Sequence, residues 1–267
     1  MSTRLPWAAG AVLVLLAAFA LAPQLFAPEG PYAEDIAQRL QAPSASHPFG
    51  TDELGRDLLA RVVHGTRTTL GTSLLALAVA TTLALAVGGV AGYVRGRTDR
   101  VLMLGVDALL ALPALLVSLL IVFALGSGTL ALALAVGLAS VPAFARLTRA
   151  EVLRVDTQPF TEAARAFGVP GRVVLARHVL PHTVRPLVAL AAVELAAILL
   201  TVSVLGFLGY GATPPHPEWG TLVAEGRRYF VTAWWLTALP GIVLVVLVLS
   251  LHRVGRWLTD RTPEWAP

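Results

Sequence analysis

Six stretches of this chain are apolar for long enough to cross a membrane, and nothing else about it constrains the fold as tightly. A hydrocarbon core about 30 Å thick takes about 17 to 25 helical residues. The stretches lie near Leu5–Phe26, Thr69–Val94, Val101–Leu125, Thr129–Ala145, Val184–Leu208 and Val231–Leu251. In lipid every backbone amide and carbonyl needs an internal partner, so such stretches are read as helices. The expected class is all-α: a polytopic membrane protein with about six transmembrane helices. Only 13% of the 267 residues are charged, against about 25% in soluble domains, which is too few to coat a water-facing surface. The chain has no cysteine, which excludes disulfides, thiolate metal sites and a cysteine nucleophile.

All twenty basic residues counted as lysine or arginine are arginine. Fourteen of them fall on one side of the six runs, among them Arg4, Arg95, Arg97, Arg100 and the cluster Arg146–Arg185. By the positive-inside rule that side is cytoplasmic, and so are both termini. The basic balance is therefore explained by topology and needs no nucleic acid. The first run reads as an uncleaved anchor, because it exceeds the 7 to 15 apolar residues of a signal-peptide core. Three segments lie outside the runs. Ala27–Thr66 is acidic and external, Arg146–Arg185 is a long cytoplasmic loop, and Gly209–Phe230 is external and rich in proline and aromatics. A helix over Glu53–His64, capped by Thr51 or Asp52 after a turn at Gly50, is expected in the first segment. Pro-Pro-His-Pro at 214–217 reads as a stiff turn, and Trp219, Tyr229, Trp234 and Trp235 read as interfacial aromatics.

The cytoplasmic loop carries the densest signal. Phe160, Ala163, Ala164 and Phe167 recur at helical spacing and give one narrow apolar stripe. Gly168 is suited to end that helix in the left-handed conformation. Pro170 is suited to open the next, expected over Arg172–Leu180 and stopped by Pro181. A helix lying on the membrane surface is the rival reading. A face built partly of alanine has little affinity for lipid and fits a protein groove better.

Glu162-Ala163-Ala164, then Gly168, then Leu180-Pro181 resemble the EAA loop of permeases in binding-protein-dependent ABC importers. Two further stretches, His47–Asp57 and Pro214–Gly220, resemble the C-type permeases of dipeptide, oligopeptide and nickel importers. The resemblance runs from about His47 to the C-terminus. It implies the type I ABC importer permease fold in the inner membrane. Residues 1–66 would then hold the first helix and an external loop, 67–254 the core with its coupling loop at 146–185, and 255–267 a short tail. It also implies a homologous second permease, two ATPase subunits, an external substrate-binding protein and surrounding lipid. Phe160, Glu162, Ala163, Ala164, Phe167, Gly168, Leu180 and Pro181 would form the ATPase-coupling loop. The translocated solute would be a peptide; nickel or another small solute is the alternative. ATP would be used by the partners and no cofactor held directly, because a Walker A loop needs a lysine and this chain has none. The subunit itself would be non-catalytic.

Acids inside apolar spans are functional candidates by default. Asp107 is expected to pair with Arg100 or Arg146. Glu194, about ten residues into the fifth run, either lines a pathway or hydrogen-bonds a neighbouring helix. An ion-coupled secondary transporter using Glu194 is the reading from a different class. His178 and His182 lack the glutamate of a zinc pair, and no histidine lies deep in a run to serve Ser118, Ser140 or Ser203 as a catalytic base. Gly88, Gly89, Gly92 and Gly96 are expected to pack helices closely.

Overall fold

The computed structural model describes residues 6–259, apart from the side chains at 185, 189 and 259. Arg4, Leu5, Arg261, the Arg185 side chain and the tail beyond 259 lie outside the described residues. Ten α-helices are described: α1 (Trp7–Leu21), α2 (Leu58–Val94), α3 (Gly96–Leu110), α4 (Ala114–Leu125), α5 (Thr129–Asp156), α6 (Pro159–Ala166), α7 (Gly171–Val174), α8 (Leu180–Leu205), α9 (Trp219–Gly226) and α10 (Trp235–Thr259). Four stretches are long and apolar enough to cross a membrane unaided: α2, α5, Leu190–Tyr210 within and beyond α8, and most of α10. The third run is not one straight helix. It breaks into α3 and α4, bent by 95°, where Pro113 takes the position before α4 and disfavours helical geometry in the residue preceding it. The first run is helical over 15 residues, about 22 Å, and packs against α2 and α10.

α2 and α5 form the most extensive helix pair, and glycine explains how closely they approach. A Cβ on Gly88 would lie 2.4 Å from the Ala145 carbonyl oxygen, and one on Gly92 would lie 2.9 Å from that of Arg149. Gly137 of α5 returns the contact, 2.8 Å from the Ala76 carbonyl. The expected role of Gly88 and Gly92 therefore holds. Gly96 differs: nothing lies near it, and its positive φ of 64° turns the chain from α2 into α3.

Several boundaries move. α2 begins at Leu58, not Glu53, because Asp57 takes the cap position and accepts from the Ala60 amide at 2.7 Å. Thr51 and Asp52 do not cap a helix. Asp52 accepts from the Leu54 and Arg56 amides and closes a turn in which Thr51 pairs antiparallel with Asp57. The turn at Gly50 is as expected, with φ at 75°. α5 continues eleven residues past Ala145, to Asp156, so much of the supposed loop is helix. Pro181 does not stop a helix: the chain passes from α7 through a π-type turn at Leu175–Val179 into α8, with Pro181 in its first turn. There a missing amide proton costs nothing. Trp219 and Trp235 are core residues rather than interfacial ones, 0% and 6% exposed. Trp219 Nε1 donates to the Val62 carbonyl at 3.0 Å, and Trp235 Nε1 to that of Thr51 at 3.3 Å.

Candidate functional site

α5, α2 and α8 all present one end to the α5–α8 connection, and that end holds the residues singled out by the EAA pattern. Only Thr157 and Gln158 separate α5 from α6. Pro159 opens α6, and Glu162 lies in its first turn, where the helix dipole favours an acid. Gly168 ends the helix with φ at 78°, the left-handed geometry expected of it. The segment then turns through Pro170 into α7.

The apolar stripe divides. Ala164 is buried among Val152, Val155, Val174 and Val179, beside Thr161, whose hydroxyl donates to the Val155 carbonyl at 3.0 Å. Phe160, Glu162, Ala163 and Phe167 face outward with Gly168. Phe167 is 88% exposed, so its ring has no close packing among the described residues. Leu180 is half-buried near Gly89 of α2 and Pro181 is exposed, so these two begin α8 and do not share the α6 face.

Three further side-chain links tie α6 and the turn after it to the long helices. Asp156, at the end of α5 and 5% exposed, binds Arg165 of α6 through one carboxylate oxygen and Arg95 through the other, the latter at 2.9 Å. Tyr93 of α2 donates from its hydroxyl to the Gly171 carbonyl at 2.7 Å, and its ring lies 5.8 Å below the Arg165 guanidinium. Phe160 stacks on His182 of α8 with ring centroids 4.8 Å apart. His182 is held in turn by an Nδ1 hydrogen bond to the His178 carbonyl. Sequence reading missed Asp156, Tyr93 and Arg95, whose partners lie up to 78 residues away. The local trace of Asp156 is an acid placed just before the Pro159 helix start.

At the opposite end of the bundle, the stretch His47–Asp57 is tied to α9, the helix that follows the other quoted stretch. Arg61 of α2 bonds both Asp52 and Glu225 of α9 at 2.9 Å, and Asp52 also holds Arg56 at 2.7 Å. His47 bridges Gln38 and Asp57. Glu218 precedes α9 and is 1% exposed. Its Oε1 accepts from the Gly220 amide at 3.2 Å, and its Oε2 meets no well-formed hydrogen bond among the described residues. That oxygen presses on two glycines: a Cβ on Gly206 would lie 2.4 Å from it, and one on Gly211 2.0 Å. Burial pushes this carboxyl up to about 7, while the Gly220 and Ala212 amides pull it back. Sequence reading quoted Glu218 only as part of a turn.

Asp107 pairs with Arg146 at 2.8 Å, one of its two expected partners. Glu194 is half-buried on α8. Its neighbour Val193 packs on Gly255 of α10, four residues before the described chain ends at Thr259. Among the described residues no group of three or more histidine, cysteine or acidic side chains is placed to hold a metal.

Residues 66–262 match the family described as binding-protein-dependent transport system inner membrane component. A probable D,D-dipeptide transport system permease of Escherichia coli (strain K12) is 32% identical over 93% of this chain and 84% of its own length. A di/tripeptide transport system permease of Pseudomonas aeruginosa (strain UCBPP-PA14) is 37% identical over 83% of this chain and 73% of its own. The fold is similar to a chain in the inward-facing MetNI methionine ABC transporter, with a TM-score of 0.61 and 19% identity over 76% of this chain and 97% of that one.

Proposed function

From the premise that this chain belongs to the family of binding-protein-dependent transport system inner membrane components, we propose that it is the permease subunit of an ATP-driven peptide importer and that α6 is where the motor takes hold. The names of its relatives support peptide as the solute. The observation that carries the coupling role is the outward face of α6: Phe160, Glu162, Ala163 and Phe167 on a short helix, with a small residue between two aromatics. Alanine lets a partner's backbone approach, and the rings fill a cleft once it does. In this reading the α6 end is cytoplasmic, both termini lie on that side, and the α9 end faces a substrate-binding protein. A homologous second permease completes the pathway, and two ATPase subunits each grip one coupling helix. ATP is bound and hydrolysed in those subunits, while this chain converts their closure into motion of its spans. Glu194 is proposed as a pathway-facing acid, because it is a half-buried acid within the fifth span, next to Val193, which takes a contact with α10.

Gly168 gives the test. Its φ of 78° is strained for any side chain, although no atom lies within 4 Å of where a Cβ would stand. Gly168→Val, β-branched and hardest to place there, is expected to misdirect Phe167 while leaving the membrane core untouched. ATP-driven peptide uptake in reconstituted vesicles should fall to background with the subunit still inserted, and Gly168→Asp should do the same. Wild-type uptake rates in both variants would refute the assignment of α6.

A further inference from the structure

We propose that Asp156 is a positioning residue for coupling: it clamps Arg165 of α6 and Arg95 of the α2–α3 corner on one carboxylate, so that α6, α5 and α2 move as a single body. This rests on the reading of α6 as the ATPase-docking element and names the device by which its displacement reaches the spans.

The placement of the charge is the first observation. Asp156 is the last residue of the 28-residue α5, at the negative end of the helix dipole, where an acid is unfavourable on its own. It is also nearly inaccessible, its side chain 6% exposed, whereas its two arginine partners are 49% and 41% exposed. Burying a carboxylate at a helix C-terminus is costly unless it is paired, and its two guanidinium partners come from two other segments, the α2–α3 corner and α6. Arg95 holds a positive φ of 59° at the end of α2, and Arg165 stands at the last turn of α6.

The second observation is how little else holds α6. With only two residues in the α5–α6 connection, Gln158 is a natural hinge. Across it run the Thr161 hydroxyl bond, the burial of Ala164 and the Asp156 clamp. The clamp joins α6 to α5 and to the end of α2 through charged groups on one carboxylate. Tyr93, the next-to-last residue of α2, reinforces it by lying under Arg165 and fixing Gly171 on the far side of the turn. Because α2 and α5 are interlocked by Gly88, Gly92 and Gly137, a push on α6 is delivered to both helices at once. The link to α8 runs through the Phe160–His182 stack and the π-type turn, and such turns are frequent at functional sites.

The test uses the full importer in proteoliposomes, with its ATPase subunits, its binding protein and a transported peptide. ATP hydrolysis and uptake are measured on the same vesicles. Asp156→Asn keeps the shape and removes the charge. It is expected to assemble and to keep basal ATP hydrolysis, but to lower peptide moved per ATP by about tenfold, within the range that single changes in a coupling network produce. Asp156→Glu, which keeps the charge, is expected to recover part of that ratio. Amides of α6 should exchange with deuterium faster in Asp156→Asn than in the wild type. If Asp156→Asn fails to assemble, Arg165→Ala decides, since that side chain is on the surface and breaks the clamp without burying anything new. A wild-type ratio of uptake to hydrolysis in whichever variant assembles, or unchanged exchange in α6, overturns the proposal. Failure of the wild-type chain to associate with any ATPase would instead overturn the reading of α6 on which it rests.

Discussion

Two buried carboxylates in this chain have different surroundings. Asp156 sits against two guanidiniums. Glu218 is as deeply buried, has only the Gly220 and Ala212 amides to offset the loss of water, and leaves Oε2 above two glycines with no well-formed hydrogen bond among the described residues. Its carboxyl is raised from the ordinary 4.5 to about 7. The folded protein therefore keeps this proton up to about pH 7, while the unfolded chain releases it near 4.5. The stabilisation is fully present below 4.5 and is lost as pH rises to about 7, a contribution on the order of 3 kcal/mol at about 1.4 kcal/mol per unit. The melting temperature of the detergent-solubilised protein is expected to decline across that window. Glu218→Gln, neutral at every pH, should flatten the decline. An unchanged slope in the variant would show that Glu218 is not the titrating group. Neither carboxylate's character was legible locally, because each is defined by groups brought to it from distant segments.

At the scale of elements, the α2–α5 pair depends on backbone contact rather than side-chain volume. A methyl on Gly88 has the Ala145 carbonyl at 2.4 Å and the Thr148 side chain at 2.7 Å, and neither yields without moving a helix. Gly88→Val should separate the pair, lower the yield of folded protein and lower its melting temperature by several degrees, since overpacking costs about 1 to 3 kcal/mol. Gly105→Ala serves as the control, with nothing within 4 Å of the new carbon, and should melt like the wild type. The glycine spacing made this packing legible in advance. Pro113 marks a kink in the third run, but the size of the bend between α3 and α4, 95°, was not legible. Apolar content reports a run's affinity for lipid but not its straightness.

For the whole molecule, the helix directions set the α6 and α9 ends apart, and the proposed orientation, from the distribution of arginine, puts the α6 end in the cytoplasm. With no cysteine of its own, the chain offers a clean background for accessibility labelling. In right-side-out vesicles Phe167→Cys should be protected from a membrane-impermeant maleimide, and Ser46→Cys, exposed at the α9 end, should react. The reverse pattern would invert the orientation and with it the coupling role of α6. The sequence alone determined that the chain is helical and membrane-embedded, and it located the EAA helix with its terminating glycine. Hydropathy, turn chemistry and short-range periodicity are properties of neighbouring residues. Only the tertiary structure decided that Trp219 and Trp235 belong to the core, that Pro181 opens a helix instead of ending one, and that Asp156 joins α5, α6 and the α2–α3 corner. Burial and ion pairing depend on what the fold brings from far along the chain, and no local pattern records that.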